Sequence, residues 1–133
     1  MCRAEFVRVK AWKLAKKPTN LSFAEAGGVP TGTLTAHQAL FEKGGLEEGK
    51  TLLILNASGG VGSFAVQFAK AKGIKVVGTC SGRNTDFVKD LGAFDVVDYT
   101  KKNVVDDVKK IHRYHQYLHR RDLRIVIVLF QVL

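Results

Sequence analysis

The chain has 133 residues, 46% of them hydrophobic and 25% charged, a composition that fits one modest globular domain and no low-complexity segment. Cys2 and Cys80 are its only cysteines, and their separation excludes a disulfide framework and a CxxC metal or redox site. The longest apolar run, 125–130, is too short to cross a bilayer, and the net charge of +9 favours an anionic partner without identifying it.

The amino-terminal segment alternates apolar and basic side chains over residues 4–17 (AEFVRVKAWKLAKK). Such alternation predicts a strand or hairpin with one solvated face. Its lysines and arginines are then surface residues, so the segment contributes to the basic charge without forming a recognisable binding motif.

Two helices are expected next. Ser22 followed by Glu25 is the pattern of a capping box, which starts a helix, and the glycines and proline within 27–30 are expected to break it. A second helix is predicted from about Thr33 to Lys43, where Gly44 and its neighbour end it.

From Lys50 onward the pattern becomes a regular alternation of strands and helices. The predicted strands are TLLILNA, IKVVGT and FDVVDY, and the helices are SFAVQFAKAK, NTDFVKDL and residues 103–111. Asn84 is expected to cap the second helix, and Gly73 and Gly92 to end the first and second. This alternation predicts an α/β fold with a partial Rossmann-type doubly wound parallel sheet of three to four strands.

A glycine-rich turn stands directly between the first strand and its helix. In this position glycines let the backbone turn sharply and approach a pyrophosphate, which the N–H groups at the helix start then bind. Ala57 stands where the dinucleotide fingerprint usually has its first glycine. The candidate cofactor-binding residues of this turn are Ala57, Ser58, Gly59, Gly60, Val61 and Gly62.

The end of the second strand indicates which dinucleotide binds. An acidic residue there would bond the ribose hydroxyls of NAD, but no Asp or Glu lies between Val76 and Thr85. Ser81 and Arg83 instead offer a hydroxyl and a guanidinium to a 2′-phosphate. The sequence therefore favours NADPH over NADH.

Three segments together carry a family resemblance: TGTLTA, ASGGVG and CSGRN. With their flanks they resemble the zinc-independent quinone oxidoreductase branch of the medium-chain dehydrogenase/reductase superfamily, and the plant chloroplast-envelope homologues look nearest. The resemblance covers about residues 4–111. It implies an NADPH-dependent reductase of quinones or of α,β-unsaturated carbonyls, located in the chloroplast or the cytoplasm, with a homodimer as an open alternative.

The resemblance also implies roles for individual residues. The Gly59–Gly62 turn would hold the pyrophosphate, and Ser81 and Arg83 the 2′-phosphate. Tyr99 would contact the adenosine end unless it only terminates a strand, and Thr35 would approach the nicotinamide. No catalytic group and no metal ligand set is predicted.

The resemblance further predicts that the chain is truncated at both ends. Residues 1–30 would be a remnant of a β-rich substrate domain with its connection, and 31–111 the amino-terminal half of an NADP-binding domain. Residues 112–133 would be a divergent tail whose apolar run 125–129 supplies a fourth strand. An inactive or pseudogene-like product with weak dinucleotide binding is the alternative.

Three further features receive ordinary interpretations. The histidines at 112, 115 and 119 share a helical spacing but are expected to be solvated rather than metal-bound, and Cys80 is expected to be buried rather than reactive. Aromatic and basic residues do not interleave on one face as in nucleic-acid-binding modules, so no nucleic acid is predicted as a partner.

Overall fold

A computed structural model describes residues 5–101 of the chain, and these divide between Pro30 and Thr31 into two units. The predicted third helix, the three histidines and the predicted fourth strand all lie outside the described residues.

Residues 5–30 form no strand, so the predicted strand or hairpin over 4–17 is wrong for the part that the structure describes. Within residues 5–22 the only regular element is a 3-10 turn, Ala11–Lys13. Phe6 and Trp12 are 84% and 74% exposed, and no residue of 5–30 is buried. A lone strand leaves its N–H and C=O groups unpaired, so alternation without a neighbouring strand does not produce a sheet.

The capping box is confirmed. The Glu25 N–H donates to Ser22 Oγ at 3.2 Å, and Glu25 Oε2 accepts from the Ser22 N–H at 2.8 Å. Helix α1 begins directly after it and runs Phe23–His37. The predicted break at 27–30 is wrong: Pro30 lies inside the helix, where the capped first turn helps to offset the missing N–H of a mid-helix proline.

After α1 the chain continues as a π-helical segment, Gln38–Lys43, and ends at Gly44 as predicted. The remaining elements then alternate. They are strand β1 (Thr51–Ile54), helix α2 (Gly62–Ala71), strand β2 (Lys75–Cys80), a 3-10 turn (Gly82–Asn84), helix α3 (Thr85–Asp90) and strand β3 (Asp95–Asp98).

The three strands form a parallel sheet in the order β1-β2-β3, which confirms the predicted α/β class. Leu52 pairs with Val76, and Cys80 pairs with Asp98. Since parallel neighbours need a crossover, α2 and α3 connect them, and left-handed glycines end both helices: Gly73 with φ of 67° and Gly92 with φ of 112°.

The core of the second unit lies between the sheet and its helices. β2 is buried from Val76 to Cys80, whereas β1 buries Leu52 and Ile54 and leaves Leu53 half-buried. The fully buried large side chains of the core are Leu40, Leu52, Ile54, Val66, Val76 and Val88. This packing fixes the carboxyl ends of β1, β2 and β3 side by side, which is where the predicted site residues other than Thr35 lie.

Candidate functional site

The turn after β1 is anchored to the neighbouring strand. The Ala57 N–H donates to the Thr79 carbonyl oxygen at 2.8 Å, and the Asn56 N–H donates to Thr79 Oγ1 at 3.2 Å. Asn56 takes a left-handed conformation, with φ of 53°, a conformation that asparagine tolerates better than most residues. Thr79, a buried polar residue, therefore uses its backbone and its side chain to set the start of the turn.

The three glycines of the turn differ in what surrounds them. A Cβ at Gly62 would lie 2.3 Å from the Asn56 carbonyl oxygen, and one at Gly59 would lie 2.7 Å from the Asn56 side-chain nitrogen. A Cβ at Gly60 would meet nothing within 4 Å. Gly62 is thus required by the fold, because the atoms that crowd it belong to the backbone. Gly59 is crowded chiefly by the Asn56 side chain, and Gly60 is the exposed point of the turn.

The N–H groups at this point are available to a ligand. Gly59 and Ser63 donate within the turn, to the carbonyl oxygens of Asn56 and Gly59. Gly60 and Val61 donate to no backbone carbonyl of residues 5–101. Helix α2 starts at Gly62, so the positive end of its dipole also lies at this turn.

Ala57, which takes the position of the first fingerprint glycine, is completely buried. A Cβ on Gly78 of β2 would lie 2.9 Å from the Ala57 Cβ and 3.0 Å from Val88 Cγ1. The Ala57 methyl group thus packs over the bare backbone of Gly78.

The part of α1 that belongs to the second unit, residues 31–37, lies against the same turn. A Cβ at Gly32 would lie 2.6 Å from the Gly60 carbonyl oxygen and 2.8 Å from the ring of Phe64. Thr35, one helical turn further, is half-buried, and its hydroxyl donates to the Thr31 carbonyl oxygen at 2.7 Å. Thr35 therefore lies near the helix face that meets the turn, with its hydroxyl proton bonded within α1.

The turn after β2 places Ser81 and Arg83 beside the glycine turn. Asn84 does not cap α3 with its side chain, so that prediction is wrong. Its Nδ2 instead donates to Ser58 Oγ at 3.1 Å and to Ser81 Oγ at 3.3 Å. Arg83 is exposed and forms no ion pair with any carboxylate of residues 5–101.

An acidic residue that the sequence argument did not weigh also reaches this turn. Asp98 ends β3 opposite Cys80, and a Cβ at Gly82 would lie 2.4 Å from Asp98 Oδ2. The Thr100 hydroxyl, at 2.7 Å, and the Thr100 N–H, at 2.9 Å, hold the pKa of Asp98 below its ordinary value, with a smaller contribution from Lys101. Asp98 is therefore a carboxylate whose charge is partly offset.

Tyr99 follows Asp98 at the same edge of the sheet. Its N–H donates to the Cys80 carbonyl oxygen at 3.2 Å, which continues the pairing of β3 with β2 by one residue. Its side chain is 51% exposed and available to a ligand. Tyr99 thus ends the pairing of β3 with β2, and its side chain is exposed at the edge of the sheet where the Ser81 turn begins.

Cys80 is fully buried, and burial raises the pKa of its thiol, which Asp98 raises further. Among residues 5–101 there is no cluster of three metal-ligating side chains and no helix long and apolar enough to cross a membrane. A cavity of about 590 Å³ lies at the carboxyl end of α2, where its lining includes Lys72 and Gly73. That end of α2 is opposite the glycine turn.

Comparison with known proteins extends these observations. Residues 60–119 match the family model described as Zinc-binding dehydrogenase. The quinone-oxidoreductase homolog, chloroplastic, of Spinacia oleracea is 45% identical over 101 residues, which are 72% of this chain and 31% of that protein. The NAD(P)H oxidoreductase RTN4IP1, mitochondrial, of Danio rerio is 43% identical over 115 residues, 84% of this chain and 30% of that protein.

Among solved structures, the Escherichia coli quinone oxidoreductase complexed with NADPH matches with a TM-score of 0.70 and 30% identity, over 74% of this chain and 31% of that one. The chain belongs to the quinone oxidoreductase branch of the medium-chain dehydrogenase/reductase superfamily. This quinone oxidoreductase-like chain spans about 30% of the length of the relatives it matches.

The structure of this quinone oxidoreductase-like chain adds three residues to those predicted from the sequence. Thr79 anchors the glycine turn, Asn84 joins it to the Ser81 turn, and Asp98 reaches Gly82. Asn84 carried a local signal, but for a helix cap. Asp98 could have been found from the pairing of the predicted strands, because parallel neighbours end at one edge of the sheet.

Proposed function

We propose that this chain forms the part of an NADPH-dependent oxidoreductase that binds the adenosine and pyrophosphate half of the cofactor. The observation that supports this most strongly is the placement of two turns side by side. The exposed Gly60 turn and the Ser81–Arg83 turn are joined by hydrogen bonds from Asn84 to both. The Gly60 turn offers backbone N–H groups, and the Ser81–Arg83 turn offers a hydroxyl and a guanidinium cation.

The pyrophosphate is assigned to the Gly59–Gly62 turn. The N–H groups of Gly60 and Val61 have no backbone acceptor among residues 5–101, and the open space at Gly60 leaves room for a phosphate to approach. The N-terminus of the ten-residue α2 adds the positive end of its dipole. Ala57 packs beneath the turn against Gly78, and Ser58 offers a hydroxyl within the turn.

The 2′-phosphate of NADPH is assigned to Ser81 and Arg83. An exposed guanidinium without an ion-pair partner in residues 5–101 suits a bidentate phosphate contact. The negative charge of Asp98 would repel a phosphate here. Thr100 donates a hydrogen bond to the Asp98 carboxylate and Lys101 lies beside it, so this charge is partly offset. We therefore assign NADPH, and not NADH, as the preferred dinucleotide.

Thr35 and Tyr99 are assigned to the two ends of the cofactor. The exposed ring of Tyr99 would cover the adenosine, and Thr35, on the helix that contacts Gly60, would lie toward the nicotinamide. When held by these residues, the cofactor would supply the hydride that, together with one proton from solvent, reduces a quinone or the double bond of an α,β-unsaturated carbonyl. The names of relatives, quinone oxidoreductases and a 2-methylene-furan-3-one reductase, support this proposed acceptor class.

We assign the complete reaction to the full-length protein of the family and expect these 133 residues to bind NADPH without turnover. Hydride transfer requires donor and acceptor in near-attack geometry in a site that excludes water, and this chain spans about 30% of its relatives. The assay is loss of the nicotinamide absorbance of NADPH with a quinone or an enone present. Steady oxidation by the purified chain would contradict the expectation of no turnover.

Competition between fragments of the cofactor tests the proposed binding function. NADPH is titrated into the chain while the fluorescence of NADPH is followed. Adenosine 2′,5′-bisphosphate or nicotinamide mononucleotide is then added as a competitor. We expect the adenosine fragment to displace NADPH and the nicotinamide fragment to leave it bound. A folded chain that binds no NADPH would favour the inactive, pseudogene-like alternative.

A further inference from the structure

The side chain of Asn84 connects the two turns of the proposed site. Its amide nitrogen lies 3.1 Å from Ser58 Oγ and 3.3 Å from Ser81 Oγ, and it donates to both. Asn84 is half-buried, as are both serines, so these contacts are partly protected from water. The two serines come from different crossovers, one after β1 and one after β2.

The direction of these bonds determines what the serine hydroxyls can do. A hydroxyl oxygen that accepts a hydrogen bond still has its own proton to donate, whereas an Asn amide nitrogen has two protons and no acceptor. Both protons of Asn84 are used by the serines. Neither serine hydroxyl donates to another group of residues 5–101, so both protons are free for a ligand that accepts hydrogen bonds.

We infer that Asn84 is a positioning residue that orients Ser58 and Ser81 as paired hydrogen-bond donors toward phosphate oxygens of the dinucleotide. This inference rests on the proposed function and deepens it. Ser58 adjoins the pyrophosphate turn and Ser81 the 2′-phosphate turn, so a single amide sets the donors for both groups. Asn84 therefore contributes to the preference for NADPH, because NADH uses only the Ser58 donor.

Binding of NADPH and NADH to the full chain and to Asn84→Ala tests this role. Loss of one oriented donor should raise a Kd about threefold, so we expect about a tenfold rise for NADPH and about threefold for NADH. The preference for NADPH then falls about threefold. A residue that only stabilised the fold would weaken both dinucleotides by the same factor, and that result would overturn the inference.

Asn84→Asp tests the direction of the bonds. A carboxylate only accepts, so both serine protons would turn toward it and away from the phosphates, and its charge would repel them. We expect NADPH binding to weaken more than in Asn84→Ala. Gln67→Glu is the control, because it makes the same amide-to-carboxylate change at an exposed residue of α2. Wild-type affinity in Asn84→Asp would overturn the inference.

A measurement without ligand separates the bridge from the binding function. The side-chain amide resonances of Asn84 should shift in Ser58→Ala and in Ser81→Ala, and resonances unmoved in both would overturn the inference. Failure of the unsubstituted chain to bind NADPH would overturn the proposed function and the inference with it. NADPH binding that is indifferent to Asn84 would overturn the inference alone.

Discussion

The methyl group of Ala57 packs over Gly78, where a Cβ on the glycine would lie only 2.9 Å from the Ala57 Cβ. The two residues are complementary: the turn carries an alanine in place of the first fingerprint glycine, and the adjacent strand carries no side chain beneath it. Close packing leaves no room for a methyl group on both.

A double-mutant cycle tests this complementarity. Gly78→Ala should cost about 1–3 kcal/mol by overpacking, a fall of several degrees in the melting temperature. Ala57→Gly in the same chain should recover part of that loss, because it removes the methyl group that the new side chain meets. Thermal unfolding of the two single variants and the double variant measures the coupling. Simple addition of the two single losses would contradict the proposed packing.

The stability of the fold should depend strongly on Gly62 and hardly at all on Gly60 when each is replaced by alanine. In Gly62→Ala the new methyl group would lie 2.3 Å from the Asn56 carbonyl oxygen and 2.8 Å from Ala57 Cα, both backbone atoms that cannot move aside cheaply. We expect a loss of about 3 kcal/mol or more, whereas Gly60→Ala should change stability by less than about 0.5 kcal/mol. Urea unfolding of both variants measures this, and equal losses would show that the turn is packed differently.

The pH dependence of stability should contain a contribution from Asp98. Because its pKa is lower in the folded chain, Asp98 stabilises the fold above its ordinary pKa of 3.8, and this stabilisation disappears as the pH falls through the lowered value. The melting temperature of Asp98→Asn should therefore be lower than that of wild type at neutral pH, and the two melting temperatures should become equal in acid. Asp90→Asn, at an exposed position of α3, is the matched control. A constant difference at every pH would contradict this assignment.

The edge of β1 should depend on the predicted fourth strand. Among residues 5–101, β1 pairs with β2 only, which leaves its other edge open. Deleting residues 122–133 should lower the melting temperature and the solubility, and Ile127→Asp in the full chain should do so in the same direction without changing the length. Unchanged melting and solubility in both variants would contradict a fourth strand at 125–129.

Much of the second unit follows from local chemistry. Gly73 and Gly92 end helices because both residues take left-handed conformations, and the run 52–55 predicts a strand of a parallel sheet because it is apolar without alternation. The glycine turn was recognisable because it lies between a strand and a helix. These signals reside in a few adjacent residues, so the sequence alone was sufficient to predict them.

The errors occurred where a local signal depends on distant partners. Alternation over 4–17 predicted a strand, but no neighbouring strand pairs with it in residues 5–101. Asn84 stands at the N-cap position of α3, yet its side chain makes no capping bond, and its amide nitrogen donates to serines of two separate turns. Asp98 reaches Gly82 only because β3 pairs with β2 in parallel register.

The most direct test of the central claim is equilibrium binding of NADPH and NADH to the full chain and to Arg83→Ala. Arg8→Ala, which removes the same charge from an exposed position of the first unit, is the control. We expect saturable binding that favours NADPH, a rise of about tenfold in its Kd on loss of Arg83, and little change for NADH or in Arg8→Ala. A folded chain that binds neither dinucleotide, or an Arg83→Ala variant that weakens both equally, would contradict the account.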